Sequence, residues 1–411
     1  MRILYLSQYF PPEAGATQTR AFEMARNWVQ MGHSVTMVAE IPNHPSGIIP
    51  DHYRGKIFER KTLEGIDVVR VWVQPSQKKN FRNRLVFYLS YMLSAAVAGI
   101  LLARERYDLL YATTPPLFVA GSALAICSLR RLPLVLEVRD LWPESAVELG
   151  ELSNPRAIAL ATRLEEAAYR RSCQIIVVTR GIQDRLLARG IKPEKIALVP
   201  NGANTNFFTF SPQARSQIRH ELGLTEKFVA IYAGLHGLAQ GLETLVESAR
   251  LLEDTPEIHF LFVGAGPNKA EIMALSSNYG LQNLTFIPEQ PRENIPGYLS
   301  AADIALIPLK KMPLFSGVLP SKLFDAWSCE RPVILGVDGE ARQVLESIQG
   351  GIYTSPEDAI ELAQTIRWAK AHPEDCKQMG ANGRTYTVQN HSHPELARKL
   401  LAILTQAINR D

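Results

Sequence analysis

Two residue groups in this sequence have the types and spacing to hold an anion. The first follows the apolar run Arg2–Leu6, which leads through Ser7-Gln8-Tyr9-Phe10-Pro11-Pro12-Glu13-Ala14-Gly15-Ala16-Thr17 into a helical pattern. A strand, a glycine-bearing turn and a helix start aim backbone N–H groups and the positive end of a helix dipole at an anion. Arg20, one turn further, would add a cation, although an ordinary turn can look the same. The second group is Phe315-Ser316-Gly317-Val318-Leu319-Pro320-Ser321-Lys322-Leu323-Phe324-Asp325. Ser321 can cap the helix that follows. Lys322 and Asp325, three residues apart, share a helical face. Either the cation meets a diphosphate while the carboxylate accepts from ribose hydroxyls, or the two form a surface ion pair.

Two further turns follow apolar strands, Gly234-Leu235-His236-Gly237 and Gly264-Ala265-Gly266-Pro267. The latter lacks the third glycine of a dinucleotide fingerprint, because Lys269 holds its place, and Pro267 suits a first helical position. Together they favour a nucleotide site without naming the base. Arg139, Asp140 and Glu144 stand at and just past the run Leu134–Val138, where ligands gather in parallel α/β sheets. Asp140 either orients an acceptor hydroxyl or pairs with Arg139. Trp142 either stacks on a sugar face or fills an interface; Asn43 and His44 end the second strand. No Asp-x-Asp pair occurs, so a metal clamp on a diphosphate has no evident ligands, and no metal or other cofactor is expected.

The elements that must position these residues alternate. In the first half, strands are expected at Arg2–Leu6, Ser34–Val38, Val68–Val73, Leu109–Ala112, Leu134–Val138 and Gln174–Val178. Helices are expected at Thr17–Met31, Arg84–Arg104, Ala157–Arg171 and Gly181–Arg189. In the second half the strands are Phe228–Tyr232, His259–Val263, Leu284–Ile287, Ile304–Ile307 and Val333–Leu335. Helices Glu243–Leu252, Asn268–Tyr279, Ser321–Ser328 and Pro356–Ala371 separate them, and Leu396–Asn409 closes the chain. Short β-branched runs alternating with amphipathic stretches signal parallel α/β units. With 411 residues, 46% hydrophobic and 21% charged, the chain suits two globular domains. The four cysteines lie far apart without a CxxC pair, which fits a reducing cytosol, and no secretory leader is evident.

Residues 1–200 hold 26 Lys+Arg against 18 Asp+Glu, a net of +8, while the remainder nets −5. The basic half implies an anionic partner such as a membrane surface or a phosphorylated lipid. No basic run interleaved with aromatics points to nucleic acid. Leu85–Ala103 is 19 residues without a charge, flanked by arginines at both ends. It reads as a helix packed on the sheet, and any lipid contact would be in the plane of the membrane.

The strings PPEAGATQTR, PNHPSG, EVRDLWPES, VPNGAN, YAGLHGLAQGLETL, FLFVGAGP, GVLPSKLFDAW and Gly383-Arg384 resemble, in order, family 4 retaining glycosyltransferases of the GT-B fold. The branch most alike builds O-antigen, colanic acid and capsular polysaccharides. The resemblance implies two Rossmann-like domains facing a cleft: 1–205 binding the acceptor, 206–390 binding the nucleotide sugar, and a last segment, 391–411, returning to the first domain. It implies that Gly15 meets the donor diphosphate and that Asp325 binds the ribose. It further implies same-face attack with the departing phosphate as base, and a saccharide or polyprenyl-diphosphate-linked acceptor at the cytoplasmic face of the membrane. Departures accompany it. Gly317 replaces the first acid of the family's E-x7-E pattern. His236 and Gln240 stand where many members carry Arg and Lys, and Ala112-Thr113-Thr114-Pro115-Pro116 lacks the usual His. Lys322 is the best-placed substitute cation. The rivals are a GT-B sugar-nucleotide epimerase and, less well matched, a dinucleotide-dependent oxidoreductase.

Overall fold

The computed structural model describes residues 1–408 apart from positions 14, 45, 79, 80, 104, 149 and 151, and all their side chains but those of Phe81 and Leu314. The expected helix ends at Arg104 and Asn409 therefore lie outside the described residues. The chain divides into two compact units, Met1–Pro200 with His393–Asp411, and Asn201–Ser392.

The first unit holds the strands β1 (Arg2–Leu6), β2 (Ser34–Glu40), β3 (Phe58–Leu63), β4 (Ile66–Val71), β5 (Leu109–Thr114), β6 (Leu134–Val138), β7 (Gln174–Val177) and β8 (Ile196–Leu198). They form one sheet in the order β3-β4-β2-β1-β5-β6-β7-β8. Every pairing is parallel except β3 with β4. The central strands are apolar and buried on both faces, as a sheet covered by helices on both sides requires. The antiparallel edge was not expected from the sequence. Its two-residue turn, Glu64 (φ 46°) and Gly65 (φ 82°), has the left-handed backbone of a tight hairpin.

Helix Phe81–Val97 continues through a wider turn, Ala98–Leu102, closed by Ala103 N–H donating to Ala98 O at 2.9 Å. It packs on helix Phe118–Arg130 at a close approach that two glycines allow. A Cβ on Gly99 would strike Ile126, and one on Gly121 would strike Met92. The closing helix His393–Ile408 lies against helix Ala16–Gln30, burying Leu396, Leu400 and Leu404, and Trp28 Nε1 donates to Ala397 O at 3.1 Å.

Arg20 corrects a sequence expectation. Its periodicity turns it inward rather than toward a ligand, and it is 3% exposed. Nε donates to Glu137 Oε1 at 2.8 Å, while the two terminal nitrogens donate to Pro200 O at 2.6 Å and Val199 O at 2.9 Å. Glu137 also accepts from Tyr111 and Thr113, each at 2.8 Å. Burial raises the Glu137 pKa, but Arg20, Arg139 and the Tyr111 hydroxyl outweigh it and hold the carboxyl below its ordinary value. Arg20 is a strut tying a helix to β6 and to the exit from β8, with no donor aimed at a diphosphate.

The second unit holds β9 (Phe228–Ala233), β10 (Ile258–Val263), β11 (Leu284–Ile287), β12 (Ile304–Pro308), β13 (Val333–Gly336) and β14 (Gly351–Tyr353). All are parallel, in the order β11-β10-β9-β12-β13-β14. The chain runs outward from β9 through β10 to β11, then returns to β12 on the other side. The strand order thus reverses between β9 and β12, the position at which such sheets open a crevice at their carboxyl ends.

Arg20→Met would leave Glu137 buried without its main cation, a change that costs about 3–5 kcal/mol. Urea unfolding followed by a probe in the first unit should show that loss while affinity for a nucleoside diphosphate stays unchanged. Lost affinity with unaltered stability would return Arg20 to a phosphate-binding role.

Candidate active site

The turns after β9 and β10 cross because three glycines remove bulk. Gly234 (φ 140°), Gly264 (φ 143°) and Gly266 (φ 159°) occupy backbone that side chains avoid. A Cβ on Gly264 would collide with the Gly234 carbonyl, and one on Gly266 with the His236 carbonyl. Bonds between the turns lock the crossing: Gly234 N–H to Val263 O at 2.9 Å, His236 N–H to Ala265 O at 2.9 Å, and Asn268 N–H to His236 O at 3.0 Å.

Lys322 enters over this crossing from helix Ser321–Ser328. A Cβ on Gly234 would lie 2.5 Å from its Cε, so the glycine also clears the path of the ammonium. Nζ donates to Tyr232 Oη at 2.5 Å and to Gln240 Oε1 at 3.4 Å, and sits 4.1 Å from the Tyr232 ring centroid. Burial lowers its pKa to about 7, opposed only by Asp325 one turn further along the helix. The structure thus sets Lys322 and Asp325 on one face, with the cation turned toward Tyr232 and Gln240.

His236 is fully buried, and neither Nδ1 nor Nε2 has a hydrogen-bond partner. Burial, then the cations Lys269 and Lys322, lower its pKa to about 4, so the ring is neutral near pH 7. Buried polar atoms are nearly always satisfied, so this unpartnered imidazole is an exception within the second unit. Lys269, which displaces the third fingerprint glycine, donates instead to Gly264 O at 2.7 Å and Ile287 O at 3.0 Å, bracing the turn.

Ser321 is a second correction. The helix begins at Ser321 itself with Pro320 in the cap position, and no side chain caps it. Pro320 takes the extended backbone of a cap residue (φ −63°, ψ 129°), which moves Ser321 into the first turn. The first N–H groups of this helix therefore carry no side-chain cap and stand near Lys322.

In the first unit, Gly15 (φ 152°) precedes helix Ala16–Gln30, which likewise has no side-chain cap. Asp140, just past β6, accepts from Ser145 Oγ at 2.9 Å, and burial raises its pKa. It lines a cavity of about 240 Å³ with Tyr9, Thr17, Arg84, Tyr88, Phe118 and Trp142. Phe118 stacks on Tyr88 at 5.9 Å and tilts against Trp142 at 6.2 Å. Trp142 therefore faces a cavity. Glu144 pairs instead with Arg185, and Arg139 is half-buried, with Nε and one terminal nitrogen buried and unpartnered. Asn43 is buried, its side chain donating to Glu40 and Ile41, whereas His44 is exposed against Tyr9.

Tyr232 escaped the sequence reading because it closes an apolar strand like any core aromatic. Glu137 did carry a signal, as the single acid within an apolar strand.

Residues 15–202 match the glycosyl transferase 4-like domain, and residues 214–386 match the glycosyl transferases group 1. Among curated relatives, WcaI of Escherichia coli (strain K12), which carries the name of a colanic acid biosynthesis glycosyl transferase, is 25% identical over 385 residues, covering 91% of this chain and 93% of its own. Among solved structures, sucrose-phosphate synthase from Thermosynechococcus elongatus superposes with a TM-score of 0.75 at 19% identity over the whole of both chains. Anabaena HepE, solved with UDP and glucose, superposes at 0.72 and 19% identity over 98% of this chain and 99% of its own. These structures place both units in the GT-B fold.

In the free protein, Lys322 should lose its charge as the pH rises through about 7. The unfolded chain still binds that proton up to about 10.4, so this group makes the fold more stable as pH climbs between the two values. A nucleotide diphosphate sugar keeps its charge throughout. Its association constant should therefore fall above about pH 7, by at most about tenfold per pH unit. Calorimetric titration from about pH 6 to 9 measures this, and Lys322→Arg should flatten the profile. An equally steep fall in Lys322→Arg would remove Lys322 from the site.

Proposed function

We propose, from the premise that this chain belongs to the glycosyltransferases, with a 4-like amino-terminal and a group 1 carboxyl-terminal domain, that it transfers a hexose or N-acetylhexosamine with retention from a nucleotide diphosphate to a saccharide or polyprenyl-diphosphate-linked acceptor. The observation that carries this reading is the part-buried Lys322 ammonium beside the unpartnered His236 ring, above the crossed Gly234 and Gly264 turns. The pathway is that of a cell-surface polysaccharide of the O-antigen or capsular kind, in line with the name of WcaI. The place is the cytoplasmic face of the membrane.

In this mechanism the second unit binds the donor. Lys322 and the uncapped N–H groups at Ser321 meet the pyrophosphate, and neutral His236 donates one ring N–H to a phosphate oxygen. Asp325 accepts from the ribose hydroxyls. As the glycosidic bond lengthens, positive charge grows on the sugar and negative charge on the leaving phosphate. Lys322 stabilises the latter more strongly in the transition state than in the ground state. The departing phosphate takes the acceptor proton on the same face, so no protein nucleophile is needed. Asp140, with the aromatic cavity around it, orients the acceptor in the first unit, where the helix start after Gly15 carries no side-chain cap. Protein cations and N–H groups replace a divalent ion.

Lys322→Ala should lower kcat by about 10²-fold or more, since removal of one charge-stabilising donor costs that much. Release of nucleoside diphosphate with acceptor present measures it, in parallel reactions with EDTA that should be unaffected. Turnover retained in a folded Lys322→Ala protein would refute the assignment, and loss of turnover to EDTA would refute the metal-free step. A new nucleotide sugar formed without acceptor would favour the epimerase.

A further inference from the structure

We propose that helix Phe81–Val97 with its extension Ala98–Leu102 docks the first unit, in the plane of the membrane, on an anionic bilayer surface. One face of this segment belongs to the core. Tyr91 donates to Val38 O at 2.9 Å, Ala95 and Ala98 are buried, and Gly99 lies against Ile126. Arg130 of the adjoining helix bonds the carbonyls of Gly99, Ala103 and Glu105, pinning the far end. The segment is long and apolar enough to span a bilayer, yet it cannot do so without leaving the fold.

The other face is bare. Val86, Leu93, Val97 and Leu101 are 44%, 64%, 54% and 60% exposed, at intervals of seven, four and four residues. That spacing draws one stripe about 22 Å long at helical rise. Leu129, 69% exposed, stands beside Arg130 on the adjoining helix. An aliphatic stripe of this length left uncovered by the rest of the chain marks a binding surface.

Charge decides the occupant. No acidic residue occurs between Asp67 and Glu105, whereas Lys78, Lys79, Arg82 and Arg84 precede the stripe and Arg104 and Arg106 follow it. The adjoining helix Phe118–Arg130 also lacks acids. An aliphatic strip between two basic ends matches acyl chains below anionic head groups, to which each nearby Lys or Arg adds attraction. A second copy of this chain would bring the same basic ends against each other.

The same helix walls the Asp140 cavity through Arg84 and Tyr88. Docking would therefore set that cavity beside the lipid surface, where a lipid-linked acceptor resides. This consequence rests on the transfer reading; the docking itself does not.

Full-length protein sedimented with vesicles of phosphatidylcholine and phosphatidylglycerol should bind at least about tenfold more tightly than with phosphatidylcholine alone. The double variant Leu93→Glu, Val97→Glu should lose that binding. It should retain the thermal transition of the parent, the stabilisation given by nucleotide diphosphates, and turnover on a short water-soluble acceptor. Vesicle binding unchanged in the double variant overturns the proposal. So does absence of binding to anionic vesicles, or a parent dimer in solution that the variant abolishes. Should no transfer occur in either protein, the sedimentation result still stands, because it needs no turnover.

Discussion

An ammonium ion taken out of water and given a phenol and an amide in place of a carboxylate is an unfinished interaction. Lys322 is in that state: its hydrogen bonds go to Tyr232 and Gln240, and burial has brought its pKa down to about 7. Desolvating a charge costs free energy that uncharged partners return only in part. The neighbouring imidazole of His236 is also incomplete, both nitrogens lacking a partner. The glycine turns of the second unit hold these two groups in place.

That arrangement depends on backbone more than on side chains. The three glycines let two strand exits approach at a distance no other residue permits, and backbone bonds to Ala265 and Asn268 fix His236 in the crossing. Lys269 takes the fingerprint position and turns its charge inward to the turn carbonyls. What resembles a damaged dinucleotide motif is thus an intact brace between the turn and β11. In the first unit the corresponding rigid element is the pair of Arg20 with Glu137, buried among strands.

Much of this was legible in the sequence. Buried parallel strands declare themselves as β-branched runs, and Leu284–Ile287 and Ser321–Ser328 fall where the pattern puts them. The strand Phe58–Leu63 was missed because its charged, alternating FERKTL lies exposed at the sheet edge, though Glu64-Gly65 carried a hairpin signal. Lys322, Asp325 and the two glycine turns could be picked out by type and spacing. The partnership of Lys322 with Tyr232 could not, since the two are far apart in sequence and Tyr232 reads as core. Arg20 was misread because a cation near a turn invites a ligand, when the acid inside β6 was already waiting for it.

The closing helix His393–Ile408 has a temporal side. It belongs to the first unit, yet the ribosome makes it only after residues 201–392 have been made. Until then Trp28 lacks its Ala397 acceptor, and the helix it sits on is missing a wall. The amino-terminal half must therefore wait, incomplete, through synthesis of an entire second domain, and its apolar flank is a surface that nascent-chain chaperones would meet first.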